Sequence, residues 1–353
     1  MKKLFETCQL GHLVLKNRLI RSATLERCGA DQGAITPLLK TIYEDLARGE
    51  AGLIITGMMG VGPNACASPN MVKIYDDSFV AKFAEITRSV HQLGGKIMVQ
   101  LGHSGAKAGV IDWGDKPFCP SDYRKAGAMT TDEINMMVRR YGDAAVKCKA
   151  AGADGVQIHG AHGYLVSEFL SPYFNHRTDQ YGGEIHNRAR FLFEIYEEIR
   201  AAVGEDYPVW MKINYSDLVE NGLDGTGCAW VCRELEKRGL DAIEVSSGIS
   251  VSAASSPTQM GQKKGEGFFA AGALDLADKV AIPVISVGGY RSIEAIEETL
   301  NRGNVAAISL CRPWIREPAL AARWRAGRTE KAQCVSCDKC FSTAQHGCYF
   351  VKG

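Results

Sequence analysis

Short apolar runs rich in β-branched residues recur along the chain and alternate with stretches of helical periodicity. Most of them lack the apolar–polar alternation of a half-exposed strand, which is typical of strands covered on both faces in a parallel sheet. The eight runs are RLIRSA (18–23), LIITG (53–57), IMVQL (97–101), GVQIH (155–159), VWMKIN (209–214), AIEVS (242–246), VISVG (284–288) and AAISL (306–310). Eight β-then-α units predict an α/β fold, a (β/α)8 TIM barrel.

The predicted barrel divides the chain into residues 1–325 and a short Cys-rich C-terminal extension, residues 326–353. An open doubly wound sheet is the alternative, but no G-x-G-x-x-G follows any of the runs, which disfavours the dinucleotide-binding version of that sheet. Two connections, 160–187 and 247–268, are long for a compact domain. Loops of this length are usually functional, and both leave the face where barrel enzymes carry their chemistry.

Charge and the N-terminal pattern narrow the class of protein. The 353 residues carry 41 Lys and Arg against 40 Asp and Glu, so the balance indicates neither a nucleic-acid surface nor an acidic partner. The start, MKKLFETCQL, lacks the apolar stretch of a signal peptide, and no apolar run reaches membrane-spanning length. We expect a cytoplasmic protein that acts on a small molecule; a homo-oligomer remains open.

The C-terminal ends of the eight runs supply a candidate rim of functional residues. Gln100 and Lys212 end otherwise apolar runs: a buried amide there can pair with a flat heteroaromatic ring, and a buried lysine with a ligand that becomes anionic. A salt bridge to a barrel acid is the alternative for Lys212. The rim residues are Ser22, Ala23, Thr24, Gly57, Met58, Gln100, His159, Lys212, Gly288, Gly289, Cys311 and Arg312.

The last two runs end in SVGGYRS and SLCRP, where barrels commonly hold a phosphate. Paired glycines, Gly288 and Gly289, let backbone N–H groups approach phosphate oxygens, and Arg312 supplies a fixed positive charge. A phosphorylated ligand is one interpretation. Tight turns and a surface ion pair are the other.

The fourth run leads into HGAHGY, which places His159, His162 and Tyr164 close together before any helix begins. Three groups that donate and accept protons after a buried strand are typical of the edge of a reaction site. Loop histidines and a core tyrosine are the structural alternative.

These motifs together resemble the Old Yellow Enzyme family of flavin-dependent ene-reductases, in the branch of the bacterial NADH:flavin oxidoreductases and the barrel domain of 2,4-dienoyl-CoA reductase. The resemblance covers about residues 4–318 and is most specific in H-x-x-H-G-Y-L followed by R-x-D-x-Y-G-G. It is carried by LKNRLIRSAT, VQLGHSG, GVQIHGAHGYLVSEFLSPYFNHRTDQYGG, NRARF, VWMKI, VISVGGY and LCRP.

The resemblance implies FMN across the barrel mouth and NAD(P)H as a reductant. Ser22, Ala23 and Thr24 would border the isoalloxazine ring, and the backbone of Met58 would contact it. Gln100 would bond the pyrimidine edge, and Lys212 would face the side that becomes anionic on reduction. Gly289, Cys311 and Arg312 would bind the phosphate, with Gly288 as a further cofactor-binding residue.

For the substrate, the resemblance implies that His159 and His162 donate hydrogen bonds to a carbonyl oxygen. This polarises the conjugated double bond toward hydride attack. Tyr164 would protonate the α-carbon from the opposite face, because a phenol with an ordinary pKa near 10 is protonated at neutral pH.

The chain departs from the family pattern after the first strand, where Leu25 stands at a position that often carries a cysteine or threonine near the flavin. Thr24 is the candidate substitute. We expect Arg177, Asp179, Arg188 and the YGG turn to fix the long loop after the fourth strand, and His103 to pack rather than catalyse.

Four of the twelve cysteines crowd the C-terminus as C-x2-C-x2-C-x7-C. Their number suits a tetrathiolate site for a [4Fe-4S] cluster or zinc; free thiols are the alternative. Related dienoyl-CoA reductases bind a cluster after the barrel with a wider spacing. The four are Cys334, Cys337, Cys340 and Cys348.

The sequence therefore predicts an FMN-dependent ene-reductase that transfers a hydride to the activated C=C of an α,β-unsaturated carbonyl compound. One alternative is a flavin-free barrel lyase or isomerase with Lys212 as Schiff base or His159 as base. Another is an electron-transfer flavoprotein without alkene reduction. The physiological substrate is not encoded in any single motif.

Overall fold

The computed structural model describes residues 1–29, 33–75, 78–108, 117–251, 265–343, 345 and 347–351. Most of the predicted long loop 247–268 therefore lies outside the described residues. The strands are β1 (Cys8–Leu10), β2 (Leu13–Leu15), β3 (Leu19–Arg21), β4 (Leu53–Ile55), β5 (Met59–Gly60), β6 (Ile97–Gly102), β7 (Phe118–Cys119), β8 (Gly127–Ala128), β9 (Val156–Gly160), β10 (Val209–Asn214), β11 (Ala242–Ser246), β12 (Val284–Val287) and β13 (Ala307–Leu310).

Helices follow most of the larger strands, and several begin at residues that suit a helix start. Thr36 caps the first helix with Pro37 behind it, and Thr130 and Glu133 form a capping box. The described helices are α1 (Pro37–Arg48), α2 (Ser78–Gln92), α3 (Thr131–Ala150), α4 (Leu165–Leu170), α5 (Ile185–Arg188), α6 (Arg190–Val203), α7 (Gly225–Lys237), α8 (Ala270–Ala277), α9 (Ile293–Arg302), α10 (Arg312–Arg316) and α11 (Leu320–Arg325).

Eight parallel strands close into a barrel, as the sequence predicts. The order is β4-β3-β13-β12-β11-β10-β9-β6, and β4 pairs with β6 to complete the ring. All eight predicted runs coincide with barrel strands. The closed ring excludes the open doubly wound sheet.

The two faces of each barrel strand belong to different hydrophobic clusters. In β4, Ile54 packs with the surrounding helices, whereas Leu53 and Ile55 pack inside the barrel. In β10, Met211 packs outward and Trp210 inward. Because neighbouring residues of a strand point to opposite faces, both faces must be apolar, which explains the continuous apolar runs.

The β1–β2 hairpin closes the N-terminal end of the barrel. Its inward residues Leu10 and Leu15 are fully buried in the same cluster as Trp210, and its outward residue Val14 is half exposed. The opposite end, where the strands finish, is left for the loops and the site.

The long connection after β9 is held by side-chain contacts within it and to the β7–β8 region. It contains α4, and the Arg177 guanidinium pairs with Asp179 at 2.5 Å while donating to the carbonyls of Pro120 and Met129. The Arg188 side chain donates to the Leu170 carbonyl at 2.9 Å. Within the described residues, no helix combines the length and apolarity needed to cross a membrane.

Candidate active site

A cavity of about 410 Å³ opens at the C-terminal end of the barrel, within the size range of small-molecule and cofactor sites. It brings together the cofactor and substrate residues predicted from the sequence, although they come from seven separate segments. They are Ser22, Ala23, Thr24, Met58, Gln100, His159, His162, Tyr164, Lys212, Gly288, Gly289, Cys311 and Arg312.

The barrel interior changes from apolar to polar one layer below this cavity. Met98, Trp210 and Ala307 pack in the apolar interior cluster. Two residues further along the same strands stand Gln100, Lys212 and Ser309, which line the cavity. A spacing of two keeps a side chain on the inner face of a strand, so the sequence places these polar groups at the floor of the site.

A hydrogen-bond network joins the polar layer across four strands and the residue that follows β3. The Lys212 ammonium lies 3.2 Å from a Glu244 carboxylate oxygen and donates to the Ser22 hydroxyl at 2.8 Å. Gln157 donates to Glu244 at 3.0 Å and accepts from Gln100 at 2.8 Å. Burial opposes the Glu244 carboxylate, but the Lys212 charge and these hydrogen bonds outweigh burial and lower its pKa. Lys212 thus has the barrel salt bridge and also reaches the cavity.

His159 and His162 lie together over this floor, with ring centroids 5.4 Å apart and planes nearly perpendicular. Burial and the neighbouring Lys212 charge hold the pKa of both imidazoles well below the usual value, so both are neutral at neutral pH. His162 Nε2 lies 2.8 Å from the Ser246 hydroxyl. His159 Nδ1 is buried without a hydrogen-bond partner, which is costly unless a ligand supplies one.

Tyr164 precedes α4 and stands beside His159, with ring centroids 4.8 Å apart. Burial raises the pKa of its phenol, partly offset by the Arg27 charge, so the hydroxyl keeps its proton at neutral pH. The ammonium of Lys107 lies 4.9 Å from the Tyr164 ring centroid and donates to the His162 carbonyl. This carbonyl belongs to a residue with φ of +65°, a conformation that non-glycine residues rarely adopt.

The corner built by β12 and β13 combines glycines with arginines. Gly289 has φ of +74°, so the turn requires glycine. Arg312 lies at the cavity wall, but its guanidinium also pairs with Asp338 of the C-terminal extension at 2.5 Å. Arg291, absent from the sequence prediction, lines the same corner with its Nε buried and unpartnered.

The end of the first barrel strand places Thr24 and Leu25 at the cavity wall. The Thr24 hydroxyl donates to the Ser22 carbonyl at 3.0 Å and lies 2.8 Å from the Cys311 sulfur. His103 is buried outside the cavity, stacked on Phe118, and burial lowers its pKa to about 3.

Sequence reasoning missed several lining residues. Ser246 and Ser309 could have been found, because both stand on the inward register of predicted strands. Arg27 comes from an irregular segment after a strand and Lys107 from a single 3-10 turn, Gly105–Lys107, and neither is long enough for a periodic pattern to mark its direction. Phe341 and Ser336 of the C-terminal extension also line the cavity and join the site only through the tertiary fold.

The four cysteines of the extension line a second, small cavity of about 30 Å³ beside Arg312 and Arg316. No three His, Cys, Asp or Glu side chains in the described part of the chain are arranged to hold a metal ion. The thiols are therefore neighbours without forming a ready ligand set.

Comparison with known proteins places this geometry in a family. The model of the NADH:flavin oxidoreductase / NADH oxidase family matches residues 3–331. The chain is 33% identical over 346 residues to the NADH oxidase of Thermoanaerobacter brockii, covering 95% of this chain but 52% of that protein. It therefore spans about half the length of that relative.

Other relatives match along most of their own length. The NADPH dehydrogenase of Bacillus pumilus is 33% identical over 321 residues, covering 90% of this chain and 92% of that protein. The old yellow enzyme homologue from Zymomonas mobilis superposes with a TM-score of 0.80 at 25% identity, covering 95% and 96% of the two chains.

Proposed function

Because the chain belongs to the NADH:flavin oxidoreductase / NADH oxidase family and is an FMN-dependent oxidoreductase, we propose that it reduces the activated C=C bond of an α,β-unsaturated carbonyl compound. NAD(P)H or another donor reloads the flavin. The observation that carries this proposal is the buried, unpartnered Nδ1 of His159 beside His162 at the cavity.

The residues at the cavity floor fit FMN. Gln100 on β6 and Lys212 on β10 offer an amide and an ammonium on either side of β9. Ser309 has a buried hydroxyl without a partner. A flavin ring supplies acceptors and a donor for such groups, and a phosphate supplies oxygens for Arg291 and the glycine corner. The residues proposed to hold FMN are Ser22, Ala23, Thr24, Met58, Gln100, Lys212, Gly288, Gly289, Cys311 and Arg312.

When bound, FMN supplies the hydride, and the chain supplies binding, orientation and charge stabilisation. The two neutral imidazoles donate hydrogen bonds to the substrate carbonyl oxygen, where negative charge develops during the reaction. Burial strengthens this effect because little water competes for the oxygen.

Tyr164 is the proposed proton donor. Its hydroxyl stays protonated, and its ring packs against His159, which keeps it next to the bound carbonyl compound. A positioned acid of this kind contributes about 10²- to 10⁴-fold to a rate.

The test of the proposal is the double variant His159→Ala/His162→Ala. We expect kcat/KM for an enone to fall by about 10²-fold or more, because buried donors at a developing oxyanion have effects of this size. Binding of the enone to the oxidised holoenzyme, measured by the change in the visible flavin spectrum, should weaken in parallel. Unchanged binding and turnover would remove the polarising role, and a colourless native protein would favour the lyase or isomerase.

We also propose that residues 326–353 act as an extension in which the four cysteines bind a metal, a [4Fe-4S] cluster or zinc. All four line one cavity, and binding would have to gather them into a ligand set, as metal binding commonly does. Iron, zinc and acid-labile sulfide are measured on anaerobically purified protein. Flavin absorbance alone, with no bound metal, would overturn this part.

A further inference from the structure

The charged side chains that line the main cavity, among the described residues, are all cationic. Among the described residues that line it there are five cationic side chains and no aspartate or glutamate. Buried or half-buried cations without partners are unfavourable, so such a wall favours anionic ligands. The five are Arg27, Lys107, Lys212, Arg291 and Arg312.

Three of these cations already have a function or a partner. Lys212 pairs with Glu244, and Arg312 pairs with Asp338. Arg291 stands at the glycine corner, where it donates to the Cys334 carbonyl at 3.2 Å. These three lie where the proposed flavin and its phosphate bind.

Arg27 and Lys107 lie elsewhere, near Tyr164. The Lys107 ammonium is 4.9 Å from the Tyr164 ring centroid, and the Arg27 charge acts on the Tyr164 phenol. Tyr164 itself packs against His159. The two cations therefore stand on the side of the cavity proposed for the substrate.

Both side chains have unused hydrogen-bonding capacity. Arg27 Nε is buried without a partner, while one terminal nitrogen donates to the Phe341 carbonyl at 3.4 Å. Lys107 donates to the His162 carbonyl, and an ammonium has three donors. Arg27 also holds φ of +53°. Strained backbone of this kind, which costs about 1–3 kcal/mol, clusters at ligand sites.

We propose that Arg27 and Lys107 form an anion subsite beside Tyr164, so that the substrate is an α,β-unsaturated carbonyl compound with a second, carboxylate group remote from the carbonyl. The inference rests on the proposed function, because it takes the carbonyl to be held by His159 and His162. Arg27 offers a planar fork that matches a carboxylate, and Lys107 offers a point charge. The pKa of Lys107 is lowered to about 8 by burial, against the opposing influence of Glu168, so its ammonium is still present at pH 7.

The experiment compares 4-carboxycinnamaldehyde with its methyl ester on the holoenzyme. The two compounds share the aromatic ring and the enal group, and they differ by one negative charge. Dissociation constants are read from the visible flavin spectrum without reductant, and kcat/KM is measured with NADPH. We expect the native protein to prefer the carboxylate about ten- to a hundredfold in both the dissociation constant and kcat/KM. A hydrogen bond to a charged group contributes a free energy that corresponds to this factor.

Arg27→Gln should reduce this preference below about threefold, Lys107→Gln should reduce it partly, and Arg27→Lys should keep part of it. Arg48→Gln is the matched control, because Arg48 is an exposed arginine on α1 that pairs with Glu44 and Asp45. It should keep the full preference.

Three outcomes overturn the subsite: equal binding of acid and ester by the native protein, an undiminished preference in Arg27→Gln, or a raised KM for NADPH as the only effect of the two substitutions. The first needs no variant, so a misfolded variant does not block the test. Tight binding of the acid without reduction of either compound would contradict the ene-reductase proposal but would still support the anion subsite. Equally fast reduction of the acid and the ester would support the ene-reductase proposal and overturn the subsite.

Discussion

At the scale of single residues, the site separates hydrogen-bond donation from proton donation by burial. Burial and the Lys212 charge keep both imidazoles neutral, so each can present one N–H to a carbonyl oxygen while gaining no charge of its own. Burial also favours the neutral form of the Tyr164 phenol, which raises its pKa. For a phenol the neutral form carries the proton that is to be donated.

Tyr164→Phe removes the phenol that would donate the proton. Flavin reduction by NAD(P)H should continue at a similar rate, because that half-reaction needs no proton from a phenol. Turnover of enones should fall by about 10²- to 10⁴-fold. Stopped-flow absorbance measures the two half-reactions separately.

A matched control for that variant is Tyr215→Phe, which removes a hydroxyl bonded to Asp275 outside the cavity. It should leave both half-reactions unchanged. Equal loss of both half-reactions in Tyr164→Phe would mean that the phenol supports flavin reduction itself, which contradicts a role as proton donor.

At the scale of elements, the β1–β2 hairpin offers a clean comparison between inward and outward residues. Leu10 is fully buried at the base of the barrel, whereas Val14 of the same hairpin is 49% exposed. Leu10→Ala should lower the free energy of unfolding by about 2–5 kcal/mol through lost burial and a cavity. Val14→Ala should change it by less than about 0.5 kcal/mol. Urea unfolding of both variants checks this, and similar losses would mean that the hairpin does not seal the barrel.

Helix α4 carries a buried carboxyl whose titration should be visible in stability. Glu168 is fully buried and accepts from the Ala106 N–H, and burial raises its pKa to about 8. Between about pH 4.5 and 8 the native state therefore holds a proton that the unfolded state has lost, so this group makes stability fall as pH rises.

The variant Glu168→Gln removes this titrating group. Its free energy of unfolding, relative to that of the native protein, should rise with pH across this window by up to about 1.4 kcal/mol per pH unit. Urea titrations at pH 5, 6, 7 and 8 measure the difference. Glu197→Gln, at an exposed ion pair with Arg238, should give a flat difference. A flat or falling difference for Glu168→Gln would show that its carboxyl is already ionised near neutral pH.

At the scale of the whole molecule, the barrel could be predicted from sequence because every barrel strand is covered on both faces. The apolar runs that this requires coincide with all eight barrel strands. The rim residues could be predicted from the ends of these runs, since the C-terminal ends of parallel strands meet at one face of a barrel. Local patterns could not place Arg27, which lies in an irregular segment, or Lys107, which ends a single 3-10 turn. Nor could they place Ser336 and Phe341, which reach the cavity because the C-terminal extension packs on the mouth through Arg312 and Asp338.

The polar layer that crosses the barrel contains a buried ion pair. Glu244 is the anion that balances Lys212 in the barrel interior, and both side chains are at most 5% exposed. Glu244→Gln leaves an uncompensated buried ammonium, which costs about 3–5 kcal/mol in proteins. The flavin-free form should therefore lose stability of this order in urea unfolding.

The exposed pair of Arg302 and Glu298 on α9 provides the matched control, because its side chains are 62% and 69% exposed. Glu298→Gln should cost less than about 1 kcal/mol, since water already solvates both charges. If Glu244→Gln cost no more than Glu298→Gln, Lys212 would have to shed its proton or find another anion inside the barrel. In that case the charge attributed to it at the cavity floor would be wrong.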